Sequence, residues 1–336
     1  MTSAGKPRVY VIGTGGSISR IGRVRTDYID YTYKTGNYTI DELLARVPEV
    51  HELAEVRAEQ FSNASSTDLG PADWLVLARR VNQIFRDDSA AVGVAITHGT
   101  ATLEETAYFL NLTVKSRKAV VLTGAMRPPT AISTDADLNI LDCVRTAASP
   151  DAHGKGVLAM MNNEIHAARE VAKTDGLRVQ TMRSRPFGIL GYSDADGQVV
   201  FYRQPVKAHT ADSEFDVATL LKLPRVEIVP AYAGADGLLI DLLVKEKIPG
   251  IVAAGLGSGS GPGAYMLALD EAVKRGVKVM LATQAGSGRV VRKQRFLDGG
   301  YIVADNLTPK KARILLMLAL SMTNDTAEIQ RMAFTY

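Results

Sequence analysis

Short apolar runs alternate with longer amphipathic stretches along most of this chain. RVYVIG, AVGVAIT, KAVVLTG and GVLAMM have strand length and no polar face, the pattern of strands covered on both sides. Between them, PADWLVLARRVNQIF, TLEETAYFLNLTV and TDADLNILDCVRTAA carry apolar residues at helical spacing. Strand–helix alternation predicts a mostly parallel sheet with helices on both faces. Thr134 reads as the N-cap of the third helix, with acidic residues in its first turn. The pattern changes over 164–204, where EIHAAREVAKT, PFGILGY and GQVVFYRQ read as strands joined by turns, an antiparallel excursion. Residues 205–225 are polar, then lightly helical, and read as a linker. Alternation resumes with VEIVPAY, LLIDLLVKEK, GIVAAGLG, YMLALDEAVKRG and VKVMLAT, and a last helix is expected at PKKARILLMLALS. Pro309 suits the first turn of that helix sterically, whereas the Lys and Arg around it do not suit its dipole. The expected architecture is α/β: a large N-terminal domain over 1–204, the linker over 205–225, and a smaller C-terminal domain over 226–336.

Composition narrows the function classes. The 336 residues carry a net charge of +3 with 22% charged residues, and the basic ones are scattered rather than striped, so nucleic acid is not an expected partner. One cysteine, Cys143, excludes an internal disulfide and a cysteine-based metal site. It falls in the helical pattern of LNILDCVRTA, where an inert core thiol is expected. Histidines are few, no H-E-x-x-H spacing occurs, and neither metal nor organic cofactor is indicated. The opening MTSAGKPRVYVIG does not read as a signal peptide. No run approaches the roughly 18 apolar residues of a membrane helix, and a cytoplasmic protein with no membrane partner is expected.

Two motifs place threonines after strands, Thr14 in VYVIGTGGSIS and Thr100 in VAITHGTATLEET. Ligands of open α/β sheets bind outside the carboxyl ends of the strands, so both hydroxyls should face one cleft and could serve nucleophilic attack on a carbonyl. GTGGS also reads as a phosphate turn or as a purely structural one. The dinucleotide fingerprint fails, because Ile18 stands where a third glycine belongs, and no Gly-Lys-Ser/Thr end completes a P-loop. In HGTATLEET, Thr102 and Glu105 fit a capping box, which leaves Thr100 just ahead of the helix. His98 could be a base, although a lone histidine at a strand end is more often a hydrogen-bonded structural residue. Lys173, in REVAKT, is by default a solvated edge residue. Facing the cleft instead, a desolvated lysine could act as general base for a threonine hydroxyl.

TGGSIS, ITHGTATLEETAYFL, VLTGAMRPPTAISTDADLN, REVAKT and NLTPKKAR occur in that order, and over nearly its whole length the chain resembles the bacterial-type L-asparaginase/glutaminase family. The resemblance implies amide hydrolysis with Thr14 as primary nucleophile, assisted by Tyr33, whose YKTG context matches a mobile flap. It places Thr100 opposite, with Lys173 as its base. Ser66 falls where the substrate α-carboxylate binds, with Thr67 beside it where the family often has glutamine. Gly13 and Gly99 flank the threonines in the binding turns, and the Ala125 carbonyl lines the amide pocket. A homotetramer of two intimate dimers, each site built across a subunit boundary, is implied as well.

The chain departs from the family in three places. HGTAT stands for HGTDT, so Ala101 replaces an aspartate that pairs with the substrate α-ammonium and completes a Thr–Lys–Asp relay. Counting back from NLTPKKAR puts Lys293 where a neighbouring subunit contributes a glutamate, in a segment carrying Arg289, Arg292 and Arg295 and no acidic residue. Ser260 stands where asparagine is common. An ammonium without its partner in a partly dry pocket costs roughly 2–5 kcal/mol. The expected substrate is therefore asparagine or, close behind, an amide without a free α-ammonium: a dicarboxylic monoamide, an N-substituted asparagine or glutamine, or a cyclic imide. A tRNA-dependent amidotransferase subunit is a different class, expected to carry an additional N-terminal domain, and about seven residues precede the first strand here. Retention of Thr14, Tyr33, Thr100 and Lys173 together favours an enzyme over a non-catalytic binding protein.

Overall fold

The apolar runs without a polar face become the centre of an eight-stranded sheet. A computed structural model describes residues 5–32 and 36–336, and the chain divides into two units, Met1–Ala218 and Thr219–Tyr336. In the first unit, β1 (Arg8–Gly15), β2 (Glu55–Ala64), β3 (Ala91–Thr97), β4 (Ala119–Thr123) and β5 (Val157–Met161) are parallel. β6 (Glu164–Ala167), β9 (Gly191–Ser193) and β10 (Val199–Phe201) extend the sheet antiparallel, as the change of pattern at 164 predicts. Between them, β7 (Ala172–Lys173) and β8 (Met182–Arg183) pair as a separate ribbon. The strand order is β10-β9-β6-β5-β4-β3-β1-β2. From β1 the chain passes outward to β2 and crosses back to β3, so the order reverses around β1, where α/β sheets open a crevice.

The helices of this unit are α1 (Ile40–Ala45), α2 (Val50–Leu53), α3 (Pro71–Asp87), α4 (Leu103–Thr113) and α5 (Ala136–Ala148). α5 buries Ile140, Cys143, Val144 and Ala147 against Val9 and Val11 of β1, Val121 of β4 and Leu158 of β5. The alternate strand residues Val120 and Leu122 point the other way. α4 packs on β4 and β5, and its Phe109 ring lies 5.6 Å from Trp74 of α3. Buried Asp142 of α5 ties the excursion down: it pairs with Arg145, and Asn163 Nδ2 and Ser193 Oγ each donate to it at 2.8 Å. Burial raises its pKa, opposed by these partners.

Two helix starts differ from the sequence expectation. Thr134 does accept the Ala136 N–H at 3.1 Å, but the N-cap position belongs to Asp135, whose carboxylate reaches back to the Met126 and Arg127 N–H groups. Thr102 precedes α4 without capping it, because its hydroxyl donates to the Ser66 carbonyl at 2.6 Å. The polar stretch after β10 holds a single 3-10 turn, Thr210–Asp212, and no helix.

In the second unit, β11 (Val226–Pro230), β12 (Gly250–Gly255), β13 (Lys278–Thr283) and β14 (Ile302–Val303) form a parallel sheet in that order. The helices are α6 (Leu238–Lys245), α7 (Gly263–Lys274), α8 (Gln294–Asp298), α9 (Pro309–Leu320) and α10 (Thr326–Thr335). Met266 and Leu269 of α7 and Ile240 of α6 close one core against Ile251, Val279 and Leu281. Among the described residues no helix is long and apolar enough to cross a membrane.

Candidate active site

The two threonine-bearing turns touch through glycines. β1 and β3 are neighbours, with Gly13 opposite Thr97, so Thr14 and Thr100 emerge at adjacent strand ends. Gly16 has φ 88°, and a Cβ there would lie 2.2 Å from the Gly99 Cα. A Cβ on Gly99 would in turn lie 2.6 Å from Ser66 Oγ. Only glycine allows three backbone segments to meet this closely. That packing need accounts for GTGGS: the turn leads into the short 3-10 turn Ser17–Ser19 rather than into a phosphate-binding helix.

The two hydroxyls are held differently. Thr14 is fully buried and its Oγ1 donates to the Thr97 carbonyl at 2.8 Å. Thr100 Oγ1 accepts from Lys173 Nζ at 2.7 Å and donates to Met126 Sδ at 3.4 Å. Lys173 therefore faces the cleft, carried there by the β7–β8 ribbon. His98 is not placed as a base for either threonine. It is fully buried, with Nδ1 2.8 Å from the Gly99 carbonyl and Nε2 3.0 Å from Thr106 Oγ1, and burial pushes its pKa down to about 4. Neutral at ordinary pH, it fixes the turn that presents Thr100. Ala125 is buried between Gly124, whose carbonyl accepts from Asn139 Nδ2 at 2.9 Å, and Met126. Cys143 is a core thiol, its pKa raised by burial and its Sγ donating to the Val121 carbonyl at 3.3 Å.

A cavity of about 220 Å³ brings Ser66, Gly99, Thr100, Ala101 and Lys173 together. Gly13 lies behind it in β1, its carbonyl accepting from Gln60 Nε2 at 3.1 Å. Thr67 is exposed, hydrogen-bonds Ser65 Oγ at 2.8 Å, and does not line the cavity. Sequence reasoning missed Ser17, Arg20 and Ser65, which do line it. A second cavity, about 570 Å³, shares Ser17, Thr100 and Lys173 and extends past Tyr31, Met126 and Arg127. Tyr31 donates to Ser17 Oγ at 3.0 Å. Its only sequence signal was proximity to the expected flap, and Tyr33 itself lies outside the described residues.

Ser260 and Lys293 belong to the second unit. Ser260 is backbone-paired to Leu256, and the turn between them carries the exposed Ser258, whose Oγ accepts from Lys293 Nζ at 2.5 Å. Lys293 is exposed, with Nζ 5.3 Å from the Phe296 ring centroid. Of the neighbouring cations, Arg289 pairs with Asp305, and Arg295 lies 3.6 Å from Asp270. Among the described residues, no carboxylate pairs with Lys293 or Arg292.

Thr14 is fully buried and lines neither cavity, whereas a lysine-held threonine at reversing strand ends, sharing its cavities with Ser17, suits attack on an acyl carbon. Comparison with known proteins says which. Residues 8–207 match the family described as Asparaginase, N-terminal, and residues 225–332 match the Glutaminase/Asparaginase C-terminal domain. The chain belongs to the asparaginase/glutaminase family. L-asparaginase 2 of Bacillus subtilis (strain 168) is 41% identical over 324 residues, covering 96% of this chain and 85% of that relative. Glutaminase-asparaginase of Pseudomonas fluorescens biotype A is 40% identical over 331 residues, 98% of this chain and 90% of that relative. The crystal structure of a probable cytoplasmic L-asparaginase from Campylobacter jejuni superposes with TM-score 0.95 at 41% identity, covering 98% of this chain and all of that one.

Proposed function

We propose that this asparaginase-like amidohydrolase cleaves a side-chain amide with Thr14 as nucleophile and Thr100–Lys173 as its acid–base pair. The 2.7 Å contact between Lys173 Nζ and Thr100 Oγ1 carries the reading. Thr14 Oγ1 forms a bond to the amide carbon, its proton passing to the base assigned from the family resemblance, Tyr33. The C–N bond breaks, and the nitrogen leaves as ammonia with that proton. Water then loses a proton toward Thr100–Lys173, attacks the ester, and returns the Thr14 hydroxyl with release of a carboxylic acid. Direct attack by water activated at Thr100 reaches the same products in one step. Ser66 receives the substrate carboxylate, with Gly99 behind it, and the Ala125 carbonyl takes the amide nitrogen. Thr67, Gly13 and Ser260 are assigned binding roles from the family pattern alone, Lys293 as a neighbouring subunit's contribution within the homotetramer of intimate dimers that the pattern implies, and a cytoplasmic location follows the Campylobacter neighbour.

A specific observation favours the variant reading of the substrate. Ala101 lines the small cavity, and among the described residues no Asp or Glu does. A substrate lacking a free α-ammonium loses nothing there, whereas asparagine leaves a charge unpaired. Ammonia release from asparagine and from succinamate (the same molecule without the ammonium) decides the matter. Succinamate is expected to be cleaved with kcat/KM at least equal to that of asparagine. Strong preference for asparagine would sink the variant reading, and ammonia from no amide would sink the amidohydrolase site itself.

A further inference from the structure

We propose that Arg20 is a specificity-determining, anion-binding residue, and that the small cavity takes an amide bearing a second carboxylate where asparagine bears its ammonium. The inference rests on the amidohydrolase reading above and deepens it. Arg20 follows the Ser17–Ser19 turn, its N–H donating to the Ser17 carbonyl at 3.1 Å and its backbone bridged to Asn37. Its backbone is thus fixed on both sides, and its half-buried side chain lines the cavity with Ala101, Ser65, Ser66 and Lys173. The two cations are not equivalent. Lys173 is committed to the Thr100 hydroxyl at 2.7 Å. Among the described residues no carboxylate pairs with Arg20.

Three other partly buried arginines of this unit meet carboxylates, whereas Arg79 donates to the Val217 carbonyl and Arg127 to the carbonyl and hydroxyl of Ser133. Arg8 binds Asp88 and Glu55, Arg46 binds Asp137 at 2.9 Å, and Arg80 binds Glu59. A partly desolvated guanidinium is normally met by an anion, and its planar fork suits a carboxylate in two-point contact. In Arg20 that capacity is left to whatever enters. The cavity adds the hydroxyls of Ser65 and Ser66 as donors and, among the described residues, offers an ammonium no acceptor charge. At about 220 Å³ it accommodates a small dicarboxylate head rather than a long chain.

Three probes differing at one carbon test this: asparagine (ammonium), succinamate (hydrogen) and carbamoylmethylmalonate (carboxylate). Ammonia release is measured for each, and binding of each to Thr14→Ala protein is followed by calorimetry. The doubly charged probe is expected to exceed succinamate at least tenfold in kcat/KM and in affinity. Arg20→Gln is expected to cut that ratio at least tenfold, mainly through KM, and Arg20→Lys to restore part of it. A ratio near one in the wild type, or a ratio that Arg20→Gln leaves intact, overturns the proposal while leaving the hydrolase standing. If no probe releases ammonia, the hydrolase reading falls, and calorimetry still decides for or against Arg20: tighter binding of the dicarboxylate, lost in the Thr14→Ala, Arg20→Gln protein, supports it, and equal binding overturns it.

Discussion

The two threonine turns sit on neighbouring strands and share glycine contacts, yet they are built on different principles. At the Thr14 turn the hydroxyl donates to a backbone carbonyl, Gly16 locks against Gly99, and Gln60 and Ser62 donate to the carbonyls of Gly13 and Thr14. The Thr100 turn is held by side chains, Lys173 and Met126 at the hydroxyl and His98 beneath it. A hydroxyl donating to a carbonyl is oriented, but a carbonyl is no base. A hydroxyl accepting from an amine is coupled to a group that can carry a proton. The first turn positions and the second transfers protons, so damage to each should look different.

The largest effect is expected at Thr14. Thr14→Ala removes the attacking atom and should lower kcat by about 10⁴-fold or more, while Thr14→Ser, which keeps the oxygen and the bond to Thr97, should retain far more activity. Steady-state ammonia release checks both. Equal loss in the two would show that the methyl group, not the hydroxyl, is what the turn supplies.

Next comes the Thr100 pair. Lys173→Met should cost on the order of 10²–10⁴-fold in kcat, the range of a general base. Because the two groups act through one hydrogen bond, the double variant Thr100→Val, Lys173→Met should lose little more than the worse single one. Additive losses would mean that Lys173 serves some other atom, and the contrast between the turns would collapse.

His98 gives the second turn a pH dependence that the first lacks. Its folded pKa of about 4 lies below the ordinary histidine value. Between those values the unfolded chain binds a proton that the folded chain refuses, so stability rises with pH across the window and is lost as pH falls through it. The loss is at most on the order of 3 kcal/mol, at 1.36 kcal/mol for each pH unit. Urea midpoints at neutral pH and at pH about 5 should separate more for the wild type than for His98→Gln, since other titrations are common to both. Equal separation would place His98 in a wetter setting than its contacts describe.

How much of this was legible in the chain depended on the kind of signal. RVYVIG and AVGVAIT became neighbouring central strands because a strand covered on both faces has no polar residue to hide. EVRAEQFSNA, the edge strand β2, is largely polar and announced nothing. Thr-x-x-Glu at 102–105 satisfied a local rule that a nonlocal bond overrode, since the Thr102 hydroxyl is taken by Ser66, 36 residues away. The Lys173–Thr100 contact joins residues 73 apart across a separate ribbon, so only the ordered motifs could point to it. Arg20 carried no periodic or motif signal, because a lone arginine in a turn is ordinarily a solvated one. Its meaning lies in the carboxylate missing from Ala101, and absence of charge is visible only once the cavity has walls.

That gives the smallest of the expected effects and the one that bears most on substrate. Ala101→Asp places a carboxylate in the cavity beside Arg20 and Lys173, on a position that is exposed and holds no packed side chain. The new charge can meet an α-ammonium, so kcat/KM on asparagine should rise about 10- to 100-fold, one to two steps of 1.4 kcal/mol. It should also neutralise the cations, so an amide with a second carboxylate should lose by a comparable factor, while succinamate moves least. The proton-transfer contact at Thr100 lies one residue away and is made by the neighbouring side chain, so the change should fall on KM more than on kcat. A variant that gains on all three amides alike would show the aspartate acting through Lys173, as part of the proton relay, and the division between a positioning turn and a proton-carrying turn would then have to be redrawn with residue 101 on the second side.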